Sequence, residues 1–204
     1  MQKVVIVANA NLKNSKTVGL EVDKSDVVVR MNRFRTDGYE EYLGTKTDFW
    51  CINRKILLQK SNRYFGFYDK NWNNYKEKYP TLSKCVMMTY CHEKNEADSL
   101  RREDIVVKNN IEVADTHNIM CELSDRWREI YNNDKFHKPG TGILTILHYL
   151  NLYGKVHIHN FDHGKTHHYW GVNGPEDVPS SHHTWEFEEK VVEDLINEKK
   201  VAIL

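Results

Sequence analysis

Amide side chains follow two apolar runs near the N-terminus of this 204-residue chain. Asn9 and Asn11 come directly after the run VVIVA, and Asn32 follows VVVRM. In a parallel α/β sheet, ligands bind where the carboxyl ends of neighbouring strands meet. An amide offers both donors and acceptors, which suits the base, ribose and phosphate ester of a nucleotide. Because asparagine also favours turns, we interpret Asn11 as a turn former and the other two as candidate ligand contacts.

A short glycine-containing turn, Gly140-Thr141-Gly142, opens the apolar stretch ILTILHYLNLY. Small residues at a helix N-terminus leave the backbone N–H groups and the positive end of the helix dipole open to an anion such as phosphate. The turn lacks the Lys-Ser/Thr ending of a Walker loop and does not match G-x-G-x-x-G. Taken alone, these residues fit an ordinary capped helix equally well.

Histidines are concentrated near the C-terminus, at His157, His159, His163, His167, His168, His182 and His183. Their spacings match no familiar zinc pattern such as H-E-x-x-H, and no cysteine lies nearby as a further ligand. We therefore predict no metal site. A general base needs only a near-neutral pKa and hydrogen-bond reach of the group that it deprotonates. His183, at the start of the predicted last helix, is a candidate for that role, and a non-catalytic histidine fits the local pattern equally well.

The charge balance excludes a global basic field. Lys and Arg number 29, as do Asp and Glu, so net charge does not favour non-specific DNA binding, although a local basic groove stays open. The N-terminal MQKVVIVANAN predicts a buried strand rather than a signal peptide, and no apolar run is long enough to cross a bilayer. The four cysteines form no C-x-x-C pair, which predicts free thiols and a cytoplasmic protein.

Short β-branched runs alternate with amphipathic segments, which is typical of a single α/β domain over residues 1–204 with a Rossmann-like, mostly parallel sheet flanked by helices. The predicted strands are residues 4–8, 26–31, 48–52, 85–89, 105–108, 155–160 and 201–204. The predicted helices are 117–131, 142–152 and 184–198. Two irregular stretches, 62–79 and 163–181, are predicted to be lid or acceptor loops.

Four of these segments, in this order, resemble the sequence motifs of the eukaryotic-type sialyltransferases, glycosyltransferase family 29. VVIVANANLKNS with VDKSDVVVRMNRF is similar to the family's large motif, and PGTGILTILHYLNLYGKVHIHNF to its small motif. His168-Tyr169 resembles the third motif, although the register could instead start at His167. His183 through Glu188 matches the very small motif, H-x-x-x-x-E. The resemblance spans residues from about 3 to 190.

The resemblance implies a GT-A-like variant of the α/β fold and an inverting, metal-independent glycosyltransferase without a cofactor. The donor would be a CMP-linked sugar such as sialic acid or Kdo, and the acceptor a hydroxyl on a glycan. The implied donor-binding residues are Asn9, Asn32, Asn53, Gly140, Thr141, Gly142 and Tyr169. His168 would stabilise the departing phosphate, and His183 would deprotonate the acceptor hydroxyl.

The chain departs from the family pattern at several positions. Val4 and Tyr153 stand where the family has a pair of disulfide-bonded cysteines, and Gly140 stands in place of a serine. The paired loss of cysteines fits a reducing compartment. Together with the small size and the missing anchor, it leads us to expect a cytoplasmic bacterial, phage or viral enzyme.

Two alternatives remain open. A phage-type enzyme could use its nucleotide-sugar to modify a hydroxylated base in DNA, with a basic and stacking surface made of Lys13, Lys16, Arg33, Arg35, Lys55 and the aromatic stretch 64–79. A catalytically idle nucleotide-sugar binding module is the other. Two further residues are of interest: Arg30 is expected to form a structural ion pair inside its strand, and Asp162 is a candidate for orienting a histidine.

Overall fold

The structure, a computed structural model, describes residues 2–12, 15–53, 76–89, 104–133, 136, 139–166, 168–169 and 185–204. Within these ranges the chain forms a seven-stranded sheet in which each paired neighbour is parallel. The strands are Val4–Val7 (β1), Val27–Met31 (β2), Phe49–Asn53 (β3), Lys84–Met88 (β4), Glu112–Ala114 (β5), Val156–His159 (β6) and Val201–Ile203 (β7). The predicted α/β fold with a mostly parallel sheet is confirmed.

Helices cover both faces of the sheet. They are Gly19–Asp23 (α1), Glu40–Leu43 (α2), Asp104–Lys108 (α3), His117–Tyr131 (α4), Thr141–Tyr153 (α5) and Trp185–Asn197 (α6). The strands alternate between the two faces: Val4 and Ile6 join the large cluster under α4, α5 and α6, whereas Val5 and Val7 join a smaller one with Val22 of α1. Strands buried on both faces read as continuous apolar runs, which is why β1 and β2 were recognisable from sequence.

One predicted strand is wrong. Residues 105–108 belong to helix α3, and the edge strand of the sheet is the short β5, which the sequence reading missed. In α3, Val106 is buried and Val107 is 66% exposed, so the β-branched run shows one face to the core. A four-residue apolar run fits a helix turn and a strand equally well, because periodicity does not separate the two at that length.

The order of the strands, β5-β4-β3-β2-β1-β6-β7, places β1 between β2 and β6. From β1 the chain adds strands outward on one side as far as β5, then returns to add β6 and β7 on the other side. Connections that leave neighbouring strands in opposite directions open a crevice at the carboxyl ends of those strands. The fold therefore predicts a ligand crevice where β1 and β6 end.

The described cysteines, Cys51, Cys85 and Cys121, are free thiols, as predicted; Cys91 lies outside the described residues. Burial raises the pKa of Cys51 to about 12, so this thiol stays protonated. Val4 and Tyr153, which replace the cysteines of the family pattern, both contribute to the large hydrophobic cluster. Among the described residues, no helix has the length and hydrophobicity needed to cross a membrane.

The side chain of Arg30 ties β2 to the turn that enters β3. It is 1% exposed, and its Nη2 donates to the carbonyl oxygens of Leu43 at 2.8 Å and Lys46 at 3.0 Å, while Nε donates to Thr47 Oγ1 at 2.9 Å. Burial lowers its pKa to about 10, which keeps it charged at neutral pH. The prediction of an ion pair for Arg30 is wrong within the described part of the chain. There the guanidinium donates to main-chain carbonyls and a threonine hydroxyl instead of to a carboxylate.

We predict that Arg30→Met lowers the free energy of unfolding by about 3 kcal/mol or more, because the buried carbonyls of Leu43 and Gly44 and the hydroxyl of Thr47 lose the donors that Arg30 supplies. Urea denaturation of wild type and variant measures the loss. Arg128→Met is the matched control, since Arg128 is 53% exposed and pairs with Asp125 at the surface. If both variants lose a similar small amount, Arg30 does not hold this turn.

Candidate active site

Asparagines occupy the carboxyl ends of three adjacent strands. Asn9 follows β1, Asn32 follows β2, and Asn53 is the last residue of β3. The amide of Asn9 donates to the carbonyl of Met31 at 3.0 Å, which joins the ends of β1 and β2. The main-chain N–H of Asn53 donates to Oδ1 of Asn32 at 3.3 Å, which joins β2 and β3. The three predicted donor-binding asparagines therefore lie in one hydrogen-bonded row.

The first turn of helix α5 continues this row. Nδ2 of Asn53 lies 3.2 Å from Oγ1 of Thr141, the first residue of α5. Gly140 is the N-cap in an extended conformation and, having no side chain, makes no side-chain capping bond of its own. A Cβ at Gly142 would lie 3.2 Å from the ring of Phe161, so a larger residue there would need the ring to shift. The helix N-terminus and its dipole thus face the same edge of the sheet as the asparagines.

Glu188 of α6 is bound to this helix end. Its carboxylate is 3% exposed and accepts the main-chain N–H of Gly140 at 2.7 Å. Burial raises the pKa of Glu188 to about 7, and the N–H of Gly140 offsets part of the increase. The sequence analysis used Glu188 only to locate His183. A buried glutamate in an amphipathic helix was the available signal, but its partner lies 48 residues away and could not be read from the sequence.

His168 and Tyr169 cross over the end of β1. The main-chain N–H of Tyr169 and Nδ1 of His168 approach the carbonyl oxygen of Asn9 at 3.2 and 3.1 Å. Since a carbonyl only accepts, Nδ1 carries the proton in this contact. The hydroxyl of Tyr169 bonds both main-chain groups of Arg35, and its ring packs edge-on against Tyr39. These contacts anchor the third-motif segment to the sheet.

Asp162 organises the loop that leads into this segment. Its carboxylate accepts the main-chain N–H groups of Gly164 at 3.1 Å and Thr166 at 2.7 Å, and also the Thr166 hydroxyl. The Thr166 hydroxyl in turn accepts the N–H of Asn11 at 2.9 Å. In the described residues Asp162 therefore shapes the loop before His168 and contacts no histidine ring.

A cavity of about 570 Å³ lies beside the ends of β1 and β6. Phe161, whose ring meets Gly142, lines it and connects it to the start of α5. Asn160 also lines the cavity. Its backbone is left-handed, with φ 59°, and its Nδ2 donates to the Ala10 carbonyl at 2.7 Å. The pocket-lining role of Asn160 and Phe161 was not predicted from the sequence. Both residues directly follow β6, a strand beside β1, and that position could have indicated the role.

The structure describes only some of the remaining residues that the sequence indicated as candidates for the site. His183, His182 and His167 lie outside the described residues, as do 62–75 and 170–181. His159 is buried beside the cavity, its Nε2 lies 3.0 Å from the carbonyl of Tyr42, and burial lowers its pKa. Within the described ranges, no three side chains of His, Cys, Asp or Glu cluster as a metal site would require.

A parallel sheet whose strand order reverses beside β1, with helices on both faces, defines an α/β protein of the Rossmann-like class. The family model for Glycosyltransferase family 29 (sialyltransferase) matches residues 1–200. The chain therefore belongs to glycosyltransferase family 29.

Relatives in this family are longer than this chain. The CMP-N-acetylneuraminate-beta-galactosamide-alpha-2,3-sialyltransferase 1 of Homo sapiens is 22% identical over 213 residues, covering 99% of this chain and 58% of that protein. Its Gallus gallus counterpart is 24% identical over 181 residues, covering 84% and 48%. The Type 2 lactosamine alpha-2,3-sialyltransferase of Mus musculus is 33% identical over 63 residues, or 31% and 19%. The chain thus spans less than two thirds of the length of these relatives.

Solved sialyltransferases share the fold. CstII from Campylobacter jejuni, solved with cytidine-5'-monophosphate, is 17% identical with a TM-score of 0.62, covering 100% of this chain and 80% of that one. A mammalian sialyltransferase, solved with Gal-beta-1-3GalNAc-ortho-nitrophenol, is 20% identical with a TM-score of 0.57, covering 100% and 69%. At these identities the likeness establishes the GT-A-like sialyltransferase architecture.

We predict that Glu188→Gln becomes more stable than wild type as pH rises. The ordinary pKa of glutamate is 4.5 and that of buried Glu188 is about 7, so between these values the folded chain keeps a proton that the unfolded chain releases. Stability from the neutral carboxyl is therefore fully present below about pH 4.5 and is lost through pH 7, by on the order of 3 kcal/mol. Glutamine carries no such dependence.

Thermal melts of both proteins at pH 5, 6, 7 and 8 measure the effect as a growing difference in Tm. Glu186→Gln on the same helix is the control, because Glu186 is exposed. A Tm difference for Glu188→Gln that is constant across this range contradicts the raised pKa.

Proposed function

We propose that this chain is an inverting, metal-independent glycosyltransferase that transfers a sugar, sialic acid, Kdo or a similar one, from a CMP-linked donor to a glycan hydroxyl. The observation that carries the proposal is the hydrogen-bonded row from Asn9 through Asn32 and Asn53 to Thr141. It stands at the switch point of a family 29 chain. The CMP bound to a structural neighbour supports a cytidine nucleotide in this crevice.

The donor phosphate would be held without a metal or cofactor by fixed hydrogen-bond donors. Asparagine amides and the N–H groups of the first turn of α5 supply partial positive charge at positions that the sheet sets before the ligand arrives. Such preorganised donors stabilise the charge that develops on a leaving phosphate. Gly140 and Gly142 serve this arrangement by making room for Glu188 and Phe161, which pack against the start of α5.

The transfer would proceed in one displacement. The acceptor oxygen attacks the anomeric carbon on the face opposite the phosphate, the bond from that carbon to the phosphate oxygen breaks, and CMP departs with the electron pair. His168 would stabilise the departing phosphate from its place over the end of β1, where its Nδ1 approaches the Asn9 carbonyl.

His183 would accept the proton of the acceptor hydroxyl as that oxygen attacks. This assignment follows from the H-x-x-x-x-E motif, in which Glu188 is the glutamate. The bond from Gly140 to Glu188 supports it, because it fixes the helix that follows His183 in sequence to the donor side of the crevice.

A glycan acceptor is favoured over a base in DNA. The mammalian neighbour was solved with a disaccharide derivative, and CstII with a trisaccharide acceptor and CMP. The DNA alternative named Lys13, Lys16, Arg33, Arg35, Lys55 and the aromatic stretch 64–79, and of these Lys13, Lys55 and residues 64–75 lie outside the described residues.

We predict that CMP raises the Tm of this protein in a concentration-dependent manner and that UDP and GDP do so less. Mass action links the size of the shift to affinity. Thr141→Val keeps the side-chain shape but removes the hydroxyl beside Asn53, so its CMP-induced shift should be smaller. Thr145→Val, one turn further along α5, is the control, because the Thr145 hydroxyl bonds the helix carbonyl of Thr141 and the thiol of Cys51. No shift with any cytidine nucleotide would refute the donor assignment.

We predict that His183→Ala lowers kcat for transfer by about 100-fold to 10,000-fold and leaves the CMP-induced Tm shift intact, because a general base acts on the acceptor and not on the donor. Transfer from a CMP-sugar to glycan acceptors, followed by release of CMP, measures the loss. His182→Ala is the matched control. If His182→Ala loses activity and His183→Ala keeps it, the register of the motif is wrong by one residue.

A further inference from the structure

The indole of Trp50 contacts the row of asparagines from within the core. Trp50 is the second residue of β3, and its side chain is 3% exposed. Its ring packs edge-on against Phe34, with centroids 6.0 Å apart and an interplanar angle of 84°. Its Nε1 donates to the main-chain carbonyl oxygen of Asn32 at 2.5 Å. A buried indole N–H needs an acceptor, and here that acceptor belongs to a site residue.

This bond fixes a residue whose backbone is unusual. Asn32 is left-handed, with φ 46°, a conformation that a residue with a side chain adopts at some cost. Its main-chain N–H donates to the carbonyl of Cys51 at 2.7 Å, and its carbonyl accepts from Trp50. Both main-chain polar groups of Asn32 are therefore held by β3, so the turn at the end of β2 cannot rotate without breaking one of these bonds.

The backbone of Asn32 determines what its side chain offers a ligand. The side-chain atom that faces the N–H of Asn53 must be the oxygen, because an N–H only donates. The amide Nδ2 is then the group of Asn32 that remains, among the described residues, to donate to a ligand. Because Trp50 holds the carbonyl and Cys51 holds the N–H on the two sides of the Asn32 Cα, the two bonds together restrain its φ and ψ, and with them the direction of the Cα–Cβ bond toward Asn53. The contact between Asn53 and Thr141 depends in turn on the position of Asn53.

We propose that Trp50 is a positioning residue of the donor site: its indole N–H locks Asn32 in the left-handed turn, and so presents the Asn32 amide as a donor to the ligand. The identity of the ligand rests on the proposed function. The restraint on Asn32 and Asn53 does not, so the two can be tested separately.

Two variants separate the hydrogen bond from packing. Trp50→Phe removes the indole N–H together with part of the ring. Replacement of Trp50 by β-(3-benzothienyl)alanine keeps the two fused rings and puts sulfur in place of the N–H, so the core stays filled. Trp127→Phe is the matched control, because Trp127 is a partly buried tryptophan that packs against Tyr131 and Phe187 on α4 and α6.

Two readouts are compared in the full chain. Without ligand, hydrogen exchange of the Asn53 main-chain N–H, followed by NMR, should become about tenfold faster or more in both Trp50 variants, as loss of one buried hydrogen bond implies. With ligand, the Kd for CMP should rise about fivefold to thirtyfold, and the donor KM should rise with little change in kcat. In Trp127→Phe both quantities should stay within about twofold of wild type.

Unchanged Asn53 exchange in the benzothienyl variant would overturn the proposal, since packing alone would then hold Asn32. Faster exchange with an unchanged Kd for CMP would overturn it as well, because Trp50 would then serve the fold and not the site. If the wild-type chain binds no CMP, the proposed function fails, while the exchange measurement still decides whether the indole N–H restrains Asn32 and Asn53.

Discussion

The pairing of β1 with a parallel neighbour on each side is the constraint on which the rest of this molecule depends. Because β2 and β6 flank β1, the chain must leave β1 toward one edge of the sheet and later return to build the other. Connections that run in opposite directions cannot cover the carboxyl ends of β1 and β6, so a crevice remains there. Each functional feature among the described residues, from the asparagines to the start of α5, lies at this uncovered edge. The large core under α4, α5 and α6 holds that edge in place.

Strand ends create a second requirement, because carbonyl and N–H groups beyond the last ladder bond need partners. Here polar side chains meet that requirement and form the site at the same time. Asn9 pairs with the carbonyl of Met31, and Asn160 pairs with that of Ala10. Asn32 and Asn160 both adopt left-handed backbones, which asparagine tolerates better than most residues. A site made of groups that already hold the backbone is rigid before a ligand binds.

Local patterns were sufficient to predict what depends on neighbours in sequence. The central strands, the long helices α4, α5 and α6, and the asparagines at strand ends follow from apolar periodicity and from the rule that ligands bind at carboxyl ends. The missed features depend on distant partners. Trp50 contacts a residue 18 positions earlier, and Glu188 one 48 positions earlier. The edge strand β5 has three residues and becomes a strand only because β4 pairs with it. The propensities of these three residues therefore did not indicate β5. A strand was predicted instead at the β-branched run that belongs to α3.

The glycine at position 140 is best understood from its buried neighbour. The family pattern has a serine there, whereas a Cβ at Gly140 would stand 2.9 Å from Oε2 of Glu188. The carboxylate occupies the space that a side chain would need and accepts the Gly140 N–H that would otherwise point into the core. The same contact joins α6 to the first turn of α5. Burial makes the charged carboxyl costly, so the joint between these two helices is less stable at neutral pH than an uncharged side chain of the same size would make it.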